Sequence, residues 1–297
     1  MKFLVTGGAG FIGSHLVRLL QTRAPVNVID NLTTGHRDRL TSLACHFFEG
    51  SILDRKLLSE AMQDVTHIFH LAAMVSVAES VANPTNCQQI NVEGTRRVLE
   101  AATQARAKRC VLASSCAVYG NDPAMPKTES LPPAPASPYA ESKLAGERLC
   151  TESILHAVAL RFFNVYGPHQ DPNGPYAAAI PRFLQSALVG TPITIHGDGQ
   201  QTRDFVFVED VTAALIHVAL HPDLRGVYNV ASGQSTSILQ LAKRILSITR
   251  SSSPITHTPS RPADVRFSSA SIGRLCATGW SPQTTLDSGL ALLLPKT

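Results

Sequence analysis

The sequence predicts an α/β protein in which a doubly wound parallel sheet carries helices on both faces. Short apolar segments alternate with longer amphipathic segments through the first 165 residues, and a glycine-rich loop follows the first apolar segment. Strands that alternate with helices are joined by right-handed crossovers and therefore pair in parallel. The predicted strands are residues 3–6, 26–29, 45–49, 67–71, 109–113 and 157–161.

Amphipathic periodicity predicts the helices between these strands. In residues 91–107, for example, Val92, Val98 and Leu99 place apolar side chains on neighbouring helix faces. The proline-rich stretch 123–138 is predicted to be a loop, because proline lacks the N–H group that a helix or a central strand requires. The predicted helices are residues 11–22, 91–107, 138–153, 210–220 and 238–248.

Composition and charge argue against several classes of protein. The chain has 297 residues and a net charge of +4, and its longest basic run is Lys108-Arg109, so nucleic-acid binding is not expected. No apolar run approaches the roughly 20 residues of a membrane span, and we expect neither a membrane segment nor a targeting segment. The six cysteines and eleven histidines lack the spacing of a metal site, which predicts no metal, unpaired thiols and a cytoplasmic location.

The glycine-rich loop predicts a dinucleotide site. Gly7, Gly10 and Gly13 follow a predicted strand and open a predicted helix, which is the context of the Rossmann-type fold. Missing side chains permit a tight turn and a close approach to a pyrophosphate, to which the helix N-terminus contributes partial positive charge. Asp30, at the end of the second strand, would bond ribose hydroxyls and repel a 2′-phosphate, so NAD is expected rather than NADP. Arg37 lies too far along the loop to reverse that preference.

Two domains are predicted from the change in pattern along the chain. Residues 1–166 are expected to form a Rossmann domain that binds NAD, with its sheet completed by later segments near 203–230. After residue 166 the alternation becomes irregular, and proline and glycine recur. Residues 167–297 are therefore expected to form mainly a smaller C-terminal α/β lobe that binds the substrate and closes over it.

Tyr139 and Lys143 suggest acid–base chemistry beside the cofactor. With Pro138 in the first helical turn and Ser137 as its cap, Tyr139 and Lys143 lie at positions i and i+4 on one helix face. A phenol normally titrates near pH ~10, and a nearby lysine cation together with the charge of the nicotinamide would lower that pKa. An ordinary exposed tyrosine and lysine are the alternative. Ser115 favours the catalytic interpretation because it ends a predicted strand, where α/β active sites are built.

Several sequence blocks together resemble one known family. The chain resembles the extended short-chain dehydrogenase/reductases and, within them, the UDP-hexose 4-epimerases. The resemblance covers essentially the whole chain. The matching blocks are residues 6–13, 30–32, 70–73, 114–120, 137–143, 161–168, 196–205 and 261–266.

The resemblance implies a catalytic trio and a set of residues that bind NAD. Ser115, Tyr139 and Lys143 match the catalytic positions. One departure is Ser51, where the family commonly has an aspartate, so the hydrogen bond to the adenine amino group is expected to be weaker or to come from the hydroxyl. The implied NAD-binding residues are Gly7, Gly10, Phe11, Ile12, Gly13, Asp30, Asn31, Leu32, Thr33, Gly35, Ser51, Ile52, Leu71, Ala72, Ala73, Asn91, Ser114, Tyr139, Lys143 and Phe162.

The resemblance also implies a binding site for a UDP sugar. Asn164, Arg203 and Arg261 match groups that hold the diphosphate, whereas Thr194 and His196 match the segment around the uracil. The remaining implied substrate-binding residues are Ser76, Ser115, Tyr139, Ala179, Asp264 and Ser268. Ser268 matches the position where a large side chain excludes N-acetylated sugars. Its small size therefore implies that UDP-GlcNAc and UDP-GalNAc are accepted alongside UDP-Glc and UDP-Gal.

The implied reaction is NAD-dependent 4-epimerisation through a transient 4-keto sugar. The alternatives are a UDP-glucuronate epimerase or decarboxylase, a 4,6-dehydratase, a GDP-sugar epimerase–reductase with a reactive cysteine, and a catalytically silent NAD-binding regulator. Dehydratases and decarboxylases usually carry an acidic residue just after the active-site hydroxyl, but this chain has Cys116 and Ala117 there. The resemblance further implies a homodimer formed through helices 91–107 and 138–153.

Overall fold

The computed structural model describes residues 1–173, 178–260 and 265–295. Its strands are β1 (Phe3–Thr6), β2 (Val26–Asp30), β3 (His46–Glu49), β4 (His67–His70), β5 (Arg109–Ser115), β6 (Ala157–Phe162), β7 (Asn164–Tyr166), β8 (Ile193–His196), β9 (Thr202–Arg203), β10 (Phe205–Phe207), β11 (Gly226–Val230), β12 (Thr236–Ser237) and β13 (Ile255–Thr258).

The helices connect these strands. They are α1 (Phe11–Leu20), α2 (Arg55–Ala61), α3 (Val77–Ala82), α4 (Pro84–Gln88), α5 (Gly94–Gln104), α6 (Pro138–Glu152), α7 (Ala179–Val189), α8 (Val208–Leu220), α9 (Ile238–Thr249), α10 (Gly273–Cys276) and α11 (Leu286–Ala291). Two 3-10 helices, Arg37–Leu40 and Cys116–Tyr119, and a π-helical segment, Gln89–Glu93, complete the elements.

A seven-stranded sheet in the order β11-β6-β5-β4-β1-β2-β3 confirms the predicted fold class. Phe3 of β1 pairs in parallel with Val26 of β2 on one side and with His67 of β4 on the other. The strand order therefore reverses between β1 and β4, and ligands of such sheets bind at the carboxyl ends of the strands beside this reversal. The first helix, the end of β4 and the end of β5 all lie at that edge.

All six predicted strands are present, with small differences at their ends. The predicted helix 91–107 differs more, because its start is the π-helical segment that contains Asn91 and α5 begins only at Gly94. Within this turn the Thr95 hydroxyl donates to the Asn91 carbonyl over 2.6 Å. A π-helical turn cannot be recognised from hydrophobic periodicity, since it shifts the register by a single residue.

The chain divides into two compact units. Unit 1 comprises Met1–Gly120, Pro132–Phe162 and Val211–Tyr228, and unit 2 comprises Asn121–Leu131, Phe163–Asp210 and Asn229–Thr297. Val211–Tyr228 belongs to unit 1, where it supplies most of α8 and the start of the edge strand β11. It falls within the range 203–230 from which we expect the sheet to be completed. Asn121–Leu131 belongs to unit 2, where the Lys127 N–H donates to the Ser269 carbonyl over 2.8 Å.

Apolar side chains of the sheet and of its helices form the core of unit 1. Leu4, Ile68 and Leu112 from three neighbouring strands pack with Val98 of α5 and Leu58 of α2 in one buried cluster. This cluster holds the strands in fixed register, and with them their carboxyl ends, where ligands of such sheets bind. In the described ranges, no helix combines the length and the apolar character that a bilayer crossing requires.

Candidate active site

The glycine loop is shaped by close contacts between backbone segments. Gly7 has a φ of +72°, and a Cβ there would lie 2.7 Å from the Ala72 backbone nitrogen. A Cβ on Gly13 would lie 2.1 Å from the Gly7 carbonyl oxygen, whereas one on Gly10 would meet only that oxygen, at 3.1 Å. Gly7 and Gly13 are therefore required by the turn itself, and Gly10 keeps the outer side of the loop open.

Replacing Gly13 with alanine should displace the start of α1 and weaken cofactor binding. Overpacking of this kind costs about 1–3 kcal/mol, and the displaced N–H groups are those that face the proposed pyrophosphate. We expect a lower melting temperature and a weaker Kd for NADH, measured by fluorescence titration. Gly273→Ala is the matched control, because a Cβ at Gly273 meets open space. A Gly13→Ala protein with native stability and native Kd would contradict this prediction.

The first turn of α1 has backbone N–H groups that no side chain caps. Its N-cap is Gly10, whereas α2 is capped by the Asp54 carboxylate and α6 by the Ser137 hydroxyl. Phe11, Ile12 and Gly13 form this uncapped turn. A helix N-terminus of this kind binds an anion through its N–H groups and its dipole.

Asp30 lies at the end of β2 and is tied to the glycine loop. Its carboxylate accepts hydrogen bonds from the N–H of Ala9 at 2.9 Å and from the N–H of Leu32 at 2.8 Å. Each oxygen keeps a lone pair that can accept a ribose hydroxyl. Arg37 forms an ion pair with Glu49 at 2.9 Å and lies over the Phe47 ring. The charge of Arg37 is thus paired with an acid of β3 and is not directed at a 2′-phosphate. This supports the preference for NAD over NADP.

The other predicted cofactor residues follow strand ends at the same edge of the sheet. The Ser51 hydroxyl accepts from the Leu53 N–H at 3.1 Å and keeps its own proton for a ligand. Phe162 pairs in register with Ser115 at the ends of β6 and β5. The set comprises Asn31, Leu32, Thr33 and Gly35 after β2, Ser51 and Ile52 after β3, Leu71, Ala72 and Ala73 after β4, Ser114 in β5 and Phe162 in β6.

The side chains of two predicted cofactor residues contact other parts of the protein. The Ile52 side chain is part of the core and fills the space beside Gly94, so only its backbone can reach a cofactor. The Asn91 amide binds both the N–H and the carbonyl of Met74, at 2.8 and 3.0 Å, and donates to the Ser142 hydroxyl at 2.9 Å. Asn91 therefore holds the loop after β4 against α6.

Ser115, Tyr139 and Lys143 lie together at the carboxyl end of β5. A hydrogen-bonding interaction with Ser115 acts to lower the pKa of the Tyr139 hydroxyl. The Lys143 ammonium nitrogen lies 5.8 Å from the Tyr139 ring centroid and donates to the Ala113 carbonyl at 2.9 Å. The structure thus brings the three predicted catalytic residues into one site.

Burial dominates the protonation of this site in the polypeptide alone. Although part of the Tyr139 ring is exposed, burial raises the pKa of its hydroxyl to about 12, against the opposing effect of the hydrogen bond from Ser115. Burial lowers the pKa of Lys143 to about 8. The expectation of a lowered pKa combines Lys143 with the charge of the nicotinamide, whereas in the polypeptide alone desolvation of the phenolate dominates the pKa of Tyr139.

A buried ion pair, which sequence reasoning missed, anchors α6 next to the catalytic residues. Glu147, one turn after Lys143, accepts from Arg161 of β6 at 2.9 and 2.8 Å and from the Ser114 hydroxyl at 2.5 Å. The Arg161 guanidinium also lies 4.7 Å above the Tyr119 ring. The sequence could have indicated this pair. Glu147 follows Lys143 by four residues, Arg161 lies inside an apolar strand, and a buried charge requires an oppositely charged partner.

Unit 2 contains a cavity of about 260 Å³. Five predicted substrate residues line it, namely Asn164, Ala179, Thr194, His196 and Arg203. Arg182 and Gln201 also line it, although no sequence motif singled them out. Gln201 donates to the His196 carbonyl at 2.7 Å, and the His196 ring is hydrogen-bonded to the Thr258 hydroxyl at 2.9 Å. Two arginines beside an apolar pocket suit a ligand that combines phosphate with a flat ring.

Of the remaining predicted substrate residues, those that the structure describes do not line this cavity. Ser76 belongs to unit 1, where its hydroxyl caps α3 by accepting from the Glu79 N–H at 3.1 Å. Ser268 is buried in unit 2, and its N–H donates to the Thr202 hydroxyl at 3.4 Å. Arg261 and Asp264 lie outside the described residues. Where the structure describes the chain, no cluster of acidic, histidine and cysteine side chains suits a metal ion.

Comparison with known proteins identifies the family. The profile of the NAD dependent epimerase/dehydratase family matches residues 3–231. The chain belongs to this family. The resemblance inferred from the sequence is thus confirmed.

Individual members of the family are similar to this chain over nearly its whole length. A UDP-glucose 4-epimerase of Mycolicibacterium smegmatis is 38% identical and covers 98% of this chain and 96% of its own. A UDP-N-acetyl-alpha-D-glucosaminuronate decarboxylase of Bacillus cytotoxicus is 36% identical, covering 87% of this chain and 83% of its own. The structure of a UDP-N-acetylglucosamine 4-epimerase of Methanobrevibacter ruminantium M1, in complex with UDP-N-acetylmuramic acid, superimposes with a TM-score of 0.94 at 37% identity, covering 98% and 96%.

Proposed function

We propose that the protein is an isomerase that interconverts UDP-hexoses differing in configuration at C4, with NAD as its cofactor. The grouping of Ser115, Tyr139 and Lys143 at the carboxyl end of β5 is the observation that carries this proposal. An α/β sheet binds its cofactor at the carboxyl ends of its strands, and Tyr139 would transfer a proton there. The two 4-epimerases similar to the whole chain support the same reaction.

The proposed residues divide the chemistry between them. Bound NAD supplies a reversible acceptor for the hydride from C4. Tyr139 accepts the proton of the sugar 4-hydroxyl as the 4-keto sugar forms, and it returns that proton when hydride is delivered to the opposite face. Ser115 orients the reacting oxygen, and Lys143 keeps positive charge near the phenolate. Because the positive charge of oxidised NAD also favours the phenolate, proton transfer is coupled to the presence of the oxidised cofactor.

The binding roles follow the placement of the residues. We assign the glycine loop and Asp30 to the pyrophosphate and the adenosine ribose of NAD. We assign Asn164 and Arg203, together with Arg261, to the diphosphate of the substrate, and Thr194 and His196 to the uracil. The cavity in unit 2 supports the substrate assignment, because residues of both groups line it.

Elimination and decarboxylation are weaker candidates for the reaction. Cys116 and Ala117, which follow Ser115, begin a 3-10 helix and offer no carboxylic acid to a leaving group. Because the chain is also similar to the Bacillus cytotoxicus decarboxylase, the experiment includes a substrate for decarboxylation. Purified protein with NAD should be incubated with UDP-Glc, UDP-Gal, UDP-GlcNAc, UDP-GalNAc and UDP-glucuronate, and the products separated by chromatography. We expect 4-epimers, whereas release of CO₂, a 4-keto-6-deoxy product or no reaction would contradict the proposal.

Acceptance of N-acetylated sugars is proposed to depend on the small side chain of Ser268. Replacing Ser268 with tyrosine should lower kcat/KM for UDP-GlcNAc at least about 10-fold relative to UDP-Glc, since even one methylene in a pocket changes this ratio about 10–200-fold. Both sugars are assayed with the same preparation, so a general loss of folded protein cancels in the ratio. Ser269→Tyr is the neighbouring control, since Ser269 has no proposed role at the sugar. An unchanged ratio in Ser268→Tyr would contradict the role of this residue.

We further propose a homodimer formed through residues 91–107 and 138–153, acting in the cytoplasm. Arg96 and Glu100 of α5 and Arg148 of α6 are exposed, and the two helices pack against each other in unit 1. Light scattering after size exclusion tests this assembly, and a mass near one chain would contradict it. The six cysteines, none of which is paired, suit a reducing compartment.

A further inference from the structure

A buried chain of polar groups runs through unit 1 from β1 to α6. His70, the last residue of β4, lies at its centre and is 2% exposed. Its Nδ1 is 2.7 Å from the hydroxyl of Thr6 in β1, and its Nε2 is 2.9 Å from the hydroxyl of Thr95 in α5. None of these three side chains has a role in the reaction proposed above, yet buried polar groups at such a density are costly unless each has a partner.

The neighbouring hydrogen bonds fix the direction of this chain. The Thr95 hydroxyl donates its single proton to the Asn91 carbonyl at 2.6 Å. It can therefore only accept a hydrogen bond from the His70 ring. The proton of the ring must therefore be on Nε2. The Thr6 hydroxyl accepts from the Ala72 N–H at 3.3 Å and has its own proton available for Nδ1. His70 is thus held as one neutral tautomer. Consistently, burial lowers the pKa of His70 to about 3, with the charge of Lys143 as a further cause.

The chain continues from Thr95 to the catalytic tyrosine. Thr95 fixes the backbone of Asn91 inside the π-helical turn, and the Asn91 side chain donates to the Ser142 hydroxyl at 2.9 Å. Ser142 in turn donates to the Tyr139 carbonyl at 2.7 Å. An unbroken series of hydrogen bonds therefore joins the strand before the glycine loop to the backbone of Tyr139.

We propose that Thr6, His70 and Thr95 are positioning residues, which hold the turn at Asn91 and through it the backbone of Tyr139 in register with the ends of β1 and β4. The inference rests on the proposed function, in which Tyr139 transfers the proton. Beyond that function, the rate of the reaction would depend on three side chains that contact neither substrate nor cofactor. A small displacement of a reacting group is enough to slow a reaction about 100-fold.

Removal of one hydroxyl tests the consequence for the rate. Thr95→Val keeps the side-chain volume but leaves His70 and the Asn91 carbonyl without their shared partner. We expect kcat for UDP-Glc to fall at least about 10-fold, with KM and the Kd for NADH changed less than about 2-fold. Thr95→Ser, which keeps the hydroxyl, should recover most of the rate. Thr103→Val is the matched control, because the Thr103 hydroxyl makes the same type of bond in α5, to the Leu99 carbonyl at 2.8 Å.

A spectroscopic measurement tests the hydrogen bonds independently of activity. In protein labelled with ¹⁵N-histidine, with the His70 signals assigned by their loss in His70→Gln, we expect the neutral Nε2–H pattern, unchanged from pH 5.5 to 8.5. The Nδ1–H tautomer or an imidazolium would overturn the proposal, as would native kcat in Thr95→Val or equal rates in Thr95→Val and Thr103→Val. Failure of the proposed function is read separately, from a wild-type protein that epimerises no UDP sugar.

Discussion

Tyr139→Phe should lower kcat for UDP-Glc by about 10²–10⁴-fold, the range that positioned acid–base groups contribute. The phenylalanine ring preserves the shape of the site but removes the hydroxyl that interacts with Ser115. Binding of UDP, measured by calorimetry, should change little, because the cavity in unit 2 does not include Tyr139. Stopped assays of epimer exchange measure the rate.

The pH dependence of the wild-type rate should come from the same phenol. Burial raises the pKa of Tyr139 in the polypeptide alone, so its hydroxyl is protonated at neutral pH, and the rate should increase as pH rises toward the lower pKa of the NAD-loaded enzyme. This rising limb should disappear in the residual activity of Tyr139→Phe. A variant that keeps near-native kcat and the same pH profile would remove Tyr139 from the mechanism.

Glu147→Gln should destabilise the protein by about 3–5 kcal/mol, because it leaves Arg161 buried without its counter-charge. Glu147 and Arg161 are 4% and 3% exposed, and their two hydrogen bonds of 2.8 and 2.9 Å join α6 to β6. The expected fall in melting temperature is on the order of 10 °C, followed by circular dichroism or calorimetry.

Two further variants separate this ion pair from a general effect of substitution in α6. Glu152→Gln alters an exposed acid in the same helix and should change the stability by less than about 0.5 kcal/mol. The double variant Glu147→Met, Arg161→Met should recover much of the loss, because apolar side chains of similar volume replace buried ion pairs well. A single variant as stable as the wild type would show that the pair contributes little.

The fold was predictable because its signals are local. Hydrophobic runs identified all six predicted strands of the sheet, and the glycine loop identified the turn in which Gly7 adopts a positive φ and Gly13 packs against the Gly7 carbonyl. Tyr139 and Lys143 were found for the same reason, since positions i and i+4 share a helix face whatever the rest of the chain does.

The remaining features depend on contacts between distant segments. The partners of Glu147 are set by the neighbouring positions of β5 and β6 under α6, and the sequence does not contain that arrangement in any short window. The pKa of Tyr139 could not be predicted either, because desolvation depends on packing around the hydroxyl. The sequence indicated a later segment of the sheet near residues 203–230, but not the limits Val211–Tyr228 at which the chain returns to unit 1.

This return of the chain has a practical meaning for dissecting the protein. A polypeptide that stopped at residue 166 would lack β11, and β6 would become an open edge with unpaired backbone groups, a template for aggregation. It would also lack the carbonyls of Val218 and His221, which accept hydrogen bonds from buried Arg109 at 3.0 and 3.2 Å. We therefore expect that residues 1–166 do not fold stably on their own. Chimaeras between relatives should exchange residues 211–228 together with the N-terminal part.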